Sequence, residues 1–263
     1  MKVAILYIAT GRYITFFKSL YESCEKYFLK NHEKTYFVFT DNDNFDYSDK
    51  ENVIKVEQKH LGWPYDTLMR YDMFLKIEDK LKEYDFCYYI NANCEVKKPI
   101  GEEIFPTEEQ GLMATIWADH YYEAPDDHPY CRNEKSSAYI PFGEGEYYFM
   151  GGFNGGRIND FIKMSKEISL MTKEDIENDA IPEFHDQSMI NKYLLNKNIL
   201  VMNPNYCYPS RWKIKPFCDD IKIEIVKKHH YKYGGHAYLR GETDKKITPL
   251  KYWLNKIFKL NLK

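Results

Sequence analysis

The chain has no apolar run approaching twenty residues, and its mean hydropathy is −0.63. A spanning helix is thereby excluded, because a bilayer core needs about twenty apolar residues in helical form. Neither a G-x-G-x-x-G nor a P-loop pattern occurs, so the common glycine-rich phosphate loops are absent. A G-x-S-x-G elbow is also missing, which sets aside an α/β hydrolase. The six cysteines (Cys24, Cys87, Cys94, Cys131, Cys207, Cys218) show no C-x-x-C spacing and no pairing with histidine. They predict reduced thiols in a cytosolic protein and no zinc site. The opening stretch MKVAILYIATGRY lacks a cleavage-site pattern, and it predicts a buried first strand rather than a signal peptide.

What is present is a chain of 263 residues, 44% hydrophobic and 29% charged. A chain of this size buries roughly 70% of its unfolded surface on folding. Aromatic residues make up 17%, which excludes intrinsic disorder. The charge is unevenly spread. Of 37 basic and 40 acidic groups, residues 245–263 hold six lysines and no acid, leaving 31 basic against 40 acidic groups in residues 1–244. An acidic body argues against nucleic acid as a partner.

Residues 3–9 form a continuous apolar run bounded by Thr10-Gly11, as in a strand covered on both faces of a parallel sheet. Phe16, Phe17, Leu20, Cys24, Tyr27 and Phe28 follow at helical spacing. Further strands are predicted at 36–40, 53–56 and 86–90, with a longer helix marked by Leu68, Phe74, Leu75, Ile77 and Leu81. This β-α-β-β-α-β order predicts an α/β sheet whose ligands gather beyond the carboxyl ends of the strands. Strands are also expected at 112–117 and 147–150. Gly151-Gly152 and Gly155-Gly156 are expected to break the chain before a helix marked by Ile158, Phe161, Ile162, Ile168 and Met171, and another helix is expected over about 188–195. With no repeat and no Ser-rich or Pro-rich linker, residues 1–244 read as one domain and 245–263 as a tail.

Three segments carry candidate chemistry. Asn91-Ala92-Asn93 follows the strand at 86–90. Two acids there would let a divalent metal bridge to a diphosphate. Two neutral amides cannot supply that charge, although they can bond sugar or ribose hydroxyls; the plain alternative is two polar residues closing a strand. The run from Ala138 to Gly156 offers glycines where a ligand can approach the backbone closely, or else a hairpin with flexible turns. In Phe184-His185-Asp186-Gln187-Ser188, Asp186 can orient a sugar or an arginine, or serve only as an acid at a helix N-terminus. His185 alone reads as structural.

AYIPFGEGEYYFMGGFNGG and HDQSMINKYLL, with the stretches 63–70 and 234–240, resemble glycosyltransferase family 6. That family includes the blood-group A and B transferases and α-1,3-galactosyltransferase. The resemblance implies a GT-A fold: a single mixed sheet flanked by helices, with the nucleotide-diphosphate-sugar site at the strand carboxyl ends. It also implies retaining transfer of galactose or N-acetylgalactosamine from a UDP-sugar in α-1,3 linkage. A chain without membrane anchor or stem looks like the bacterial branch. Position by position, Tyr13 matches the aromatic that stacks on uracil, with Ile8 and Thr10 beside it in the donor set. Arg70 matches the arginine that reaches the donor sugar. Asn91 and Asn93 stand where animal members bind manganese through Asp-X-Asp, and bacterial members with Asn-X-Asn work without metal, so no cofactor is expected. Met150, Gly151 and Gly152 match the segment that discriminates donor sugars. Trp117, Phe184 and His185 fall on the acceptor side, and Asp186 matches the aspartate on the donor ring.

The family motif reads His-Asp-Glu where this chain has Gln187. That glutamate is the family's proposed nucleophile or charge stabiliser. An amide cannot form the glycosyl ester and lacks the negative charge. The departure implies weak or absent activity, whether Gln187 is natural or a deliberate replacement, and it keeps open a non-catalytic sugar-nucleotide or glycan-binding protein.

Family members order the C-terminal region over the nucleotide. Lys232 and Arg240 are therefore expected to hold phosphate oxygens, with His236 assisting; a solvated basic turn is the alternative. Glycine at 152 implies UDP-N-acetylgalactosamine as donor, while Met150 resembles the galactose-using member. The implied acceptor is a fucosylated β-galactoside, as a free oligosaccharide or on a lipid. In the tail, Leu250, Trp253, Leu254, Ile257 and Phe258 fall on one helical stripe, with Lys251, Lys256 and Lys259 mostly elsewhere around it. This predicts either peripheral contact with the inner face of a bacterial membrane or a helix packed on the body.

Overall fold

The computed structural model describes residues 1–210, 217–228 and 231–258. The chain opens with β1 (Lys2–Ile8), α1 (Phe17–Tyr27), β2 (Glu33–Thr40) and β3 (Val53–Glu57). Three short helices follow, α2 (Tyr65–Leu68), α3 (Arg70–Leu75) and α4 (Glu78–Leu81), and then β4 (Phe86–Ile90), β5 (Cys94–Val96) and β6 (Leu112–Ile116). The second half holds β7 (Phe149–Arg157), α5 (Ile158–Glu177), α6 (His185–Leu194), β8 (Leu200–Met202), β9 (Tyr208–Pro209), β10 (Ile223–Ile225), α7 (His236–Arg240) and α8 (Pro249–Phe258).

Seven strands form one mixed sheet in the order β3-β2-β1-β4-β7-β6-β8. All neighbours are parallel except β7, which runs antiparallel to both β4 and β6. The predicted apolar run is β1, and its side chains alternate between two cores, as a period of two requires. Val3, Ile5 and Tyr7 join Phe17, Leu20 and Cys24 of α1 on one face. Ala4 and Leu6 join Phe74 of α3, Phe161 of α5 and Met189 of α6 on the other. Helices therefore cover both faces, which is a GT-A-like mixed α/β architecture. Beside it stands a small sheet, β5-β10-β9, that the sequence patterns did not predict. Strands of two or three residues carry no readable alternation.

Two local expectations are corrected. The single helix expected over 68–81 is three short ones, because Met69 and Ile77 leave helical geometry at ψ 14° and 22°. The apolar spacing runs through both breaks, so periodicity cannot reveal them. The glycines expected to break the chain instead lie inside β7, between two partner strands. A Cβ on Gly155 would stand 2.2 Å from the Cys87 carbonyl oxygen. Glycine here permits close packing against β4 rather than a turn. Helix α6 also begins three residues earlier than expected, so His185, Asp186 and Gln187 occupy its first turn.

The tail does form a helix. In α8, Tyr252 is buried and its ring lies 5.5 Å from that of Tyr231. Leu250, Trp253, Leu254, Ile257 and Phe258 are all exposed, Leu250 at 70%. Helix α8 thus seats one aromatic and turns its apolar stripe outward. Lys259 of the predicted pattern lies outside the described residues. Among the described residues no helix is long and apolar enough to cross a membrane.

Candidate active site

The carboxyl ends of β1 and β4 and the start of β7 open into two adjoining cavities of about 630 and 240 Å³. Both are bordered by Trp63, Thr67, Arg70, Asn91, Lys228 and His236. Asn93, Trp117, Met150, Gly151, Gly152, Phe184, His185, Asp186 and Gln187 line the larger. Ile8, Thr10, Tyr13 and Arg240 line the smaller. Of the residues singled out from the sequence, only Lys232 is not brought here. It borders a neighbouring recess with Glu224, Lys227 and Tyr233.

The centre of the site is an ion pair. Arg70 at the start of α3 places its Nη1 2.7 Å from Asp186 Oδ2, with both side chains under 10% exposed. The same nitrogen donates to the Gly151 carbonyl at 2.6 Å, and the guanidinium stands 4.0 Å from the Tyr89 ring centroid. Burial pushes the Asp186 carboxyl above its ordinary range, against the pull of Arg70. A Cβ on Gly151 would meet Asp186 Oδ2 at 3.0 Å, so the pair also depends on glycine at 151.

Gln187 is held from two sides. Its Oε1 accepts the Gly151 N–H at 3.0 Å, and its Nε2 donates to the Tyr148 hydroxyl, also at 3.0 Å. His185 adopts φ 46°, a left-handed conformation that costs a non-glycine residue roughly 1–2 kcal/mol. Its ring meets Trp63 edge to face at 4.8 Å, which fixes both rings on the cavity rim. Burial also lowers the His185 pKa.

Cations gather at the other end. Lys228 follows β10, and its Nζ stands 5.4 Å from the Tyr13 ring centroid. Burial lowers its pKa, and the nearby Arg240 and Arg70 charges lower it further, against an opposing pull from Cys94. Arg240 lies 5.1 Å from the Trp63 ring centroid, and its charge draws the Tyr13 pKa down against the larger upward push of burial. Within this basic stretch the sequence singled out Lys232, and the structure brings Lys228 rather than Lys232 to the cavities, because which lysine turns inward depends on how the chain leaves β10.

Asn91 and Asn93 do not suit a divalent cation. Asn91 Oδ1 already accepts from Tyr89 Oη and Ala92 N, at 3.1 and 3.0 Å. Asn93 Nδ2 donates to the Val226 carbonyl at 2.5 Å, and only its Oδ1 is left buried without a partner among the described residues. Hard cations are held chiefly by carboxylates, with neutral carbonyls and waters completing the shell, and this pair of amides supplies no charge.

The mixed α/β sheet with polar groups converging at its strand ends is GT-A-like in architecture, and together with the sequence profile it marks a glycosyltransferase. The chain belongs to glycosyltransferase family 6, whose sequence profile matches residues 1–233. It is 31% identical over 212 residues to the O-antigen biosynthesis glycosyltransferase WbnI of Escherichia coli, covering 81% of this chain and 90% of that one. It is 27% identical to the rat histo-blood group ABO system transferase 1, covering 87% of this chain and 67% of the relative. The chicken globoside alpha-1,3-N-acetylgalactosaminyltransferase 1 is 23% identical, with coverage of 88% and 68%. Family membership brings a sugar-nucleotide donor and a glycan acceptor.

Replacing Asp186 by Asn would strand the buried Arg70 charge. The expected loss is about 3–5 kcal/mol of folding stability, read by urea denaturation. A loss under about 1 kcal/mol would show that this pair does not hold the elements together.

Proposed function

We propose that the protein is built for retaining transfer of N-acetylgalactosamine from UDP-N-acetylgalactosamine, in α-1,3 linkage, to a fucosylated β-galactoside. In this reaction the anomeric carbon–oxygen bond to the β-phosphate breaks. A new one forms to the acceptor oxygen, and the acceptor's proton leaves with the phosphate. The observation that carries the reading is that Gln187, Gly151 and the Arg70–Asp186 pair meet on one wall of the larger cavity. In the smaller cavity, Tyr13 would take the uracil face, and Lys228, Arg240 and His236 the diphosphate. No metal is needed in this arrangement.

The donor preference rests on Met150 and Gly152 together. A Cβ at 152 would come within 2.8 Å of the Met150 methyl, and that flexible side chain would have to give way. Glycine spares that displacement and so favours the bulkier acetamido sugar. As the chain stands, the Gln187 amide can support positive charge at the anomeric carbon only weakly, so turnover is weak or absent.

Attachment at a membrane surface completes the proposal. The outward stripe of α8 and the lysine-rich tail suit an anionic lipid face, and the name of the Escherichia coli relative speaks of O-antigen biosynthesis. The bacterial inner face is the site that this combination favours.

Gln187→Glu should raise transfer by orders of magnitude with both UDP-sugars supplied in competition, N-acetylgalactosamine moving faster. Unchanged turnover would leave a sugar-nucleotide-binding protein, and faster galactose transfer would reverse the donor choice. Arg240→Ala and Lys228→Ala should each weaken UDP binding at least tenfold by calorimetry, with EDTA making no difference to the affinity of the parent chain. Full affinity in both variants, or a large chelator effect on UDP affinity, would overturn the metal-free cradle. For the tail, the double variant Leu254→Ser/Ile257→Ser keeps Tyr252 seated and should abolish sedimentation with anionic liposomes; undiminished sedimentation rejects lipid contact.

A further inference from the structure

Outside the cavities, His120, Glu123 and His128 converge within nine residues of chain, and one ligand atom from each lies within 4.8 Å of the others. His120 Nδ1 is 2.5 Å from Glu123 Oε2, and His128 Nδ1 is 3.8 Å from the same oxygen. A tetrahedral cation with bonds of about 2.0–2.2 Å sets its ligand atoms about 3.3–3.5 Å apart. The observed separations bracket that value, and His120 and Glu123 sit at positions open enough to adjust by small rotations.

The second observation concerns His128. This residue is only 4% exposed, yet its Nδ1 has no hydrogen-bond partner among the described residues. Its Nε2 faces the Glu146 carbonyl at 3.5 Å. A proton on Nε2 leaves the Nδ1 lone pair directed at the cluster, and a backbone carbonyl commonly orients a metal-binding histidine in this way. A buried ring nitrogen without a partner is costly unless something binds it.

We infer that His120, Glu123 and His128 form a binding site for a first-row divalent cation of the zinc type, separate from the donor cavity. The ligand set is two imidazoles and one carboxylate, which suits zinc far better than magnesium or calcium. Neither the sequence reading, which expected no metal, nor the family profile assigns it. The cation would act by positioning. The ring centroid of His120 lies 5.0 Å from that of Tyr148 and 5.9 Å from that of Trp117, and His128 packs on Tyr148 at 6.1 Å. Tyr148 holds Gln187 and Trp117 walls the larger cavity. Binding would therefore tie down residues 118–128 beside the acceptor side.

Equilibrium dialysis of the untagged full chain against micromolar zinc should retain one ion per chain. The cobalt-substituted protein should show the visible bands of a low-symmetry nitrogen and oxygen site. Glu123→Gln and His120→Ala, both at partly exposed positions, should weaken zinc binding at least tenfold while UDP affinity stays unchanged, which verifies the fold independently. No retention by the parent chain, or equal retention by the variants, would falsify the site and leave an ordinary histidine–glutamate hydrogen bond.

Discussion

The Arg70–Asp186 pair is the interaction on which the arrangement of the cavity depends. One guanidinium links four parts of the fold: α3, which supplies it, α6 through Asp186, β7 through the Gly151 carbonyl, and β4 through the face of Tyr89. Taking both charges out of water costs several kcal/mol per ion, and only short, well-directed bonds offset it. Those bonds are present at 2.6 and 2.7 Å. The pair fixes where the first turn of α6 stands against β7, and Gln187, the next residue on that turn, takes its position from it.

The charge of the site follows from what the strand ends lack. With amides at Asn91 and Asn93, the carboxyl end of β4 contributes no negative field, so cations on the C-terminal segment meet no opposing acid there. Lys228 stands near Arg240 and Arg70, whose charges add to burial in lowering its pKa. The diphosphate of the proposed donor would relieve that repulsion through charge-assisted bonds.

Much of this was legible in the sequence, for identifiable reasons. The buried strands β1 and β4, and the stretch 36–39 of β2, announce themselves because both faces are covered and nearly every residue is apolar. Residues from Ile8 to Arg240 that line the two cavities were singled out because motif order survives in the chain. What could not be read depends on tertiary geometry. Glycines in β7 look like turns until Cys87 is known to lie against Gly155. Lys232 and Lys228 are equivalent as letters, and only the path of the chain after β10 separates them. The His120–Glu123–His128 cluster is hidden because H-x-x-E-x-x-x-x-H carries no established spacing.

The environment of Gln187 says more than the amide itself. Its two partners are a backbone N–H and a phenol hydroxyl. The N–H can only donate. The hydroxyl now accepts from the amide nitrogen, but a rotation about its C–O bond lets it donate instead. Both partners therefore satisfy a carboxylate at least as well as an amide, without moving a heavy atom. Burial keeps the Tyr148 hydroxyl protonated by raising its pKa, so it stays able to donate. An amide with one donor pointing at a hydroxyl gains nothing from this pocket that a carboxylate would lose. The wall built by Gly151 and Tyr148 thus fits a negatively charged side chain at 187, which differs from the amide present by one atom.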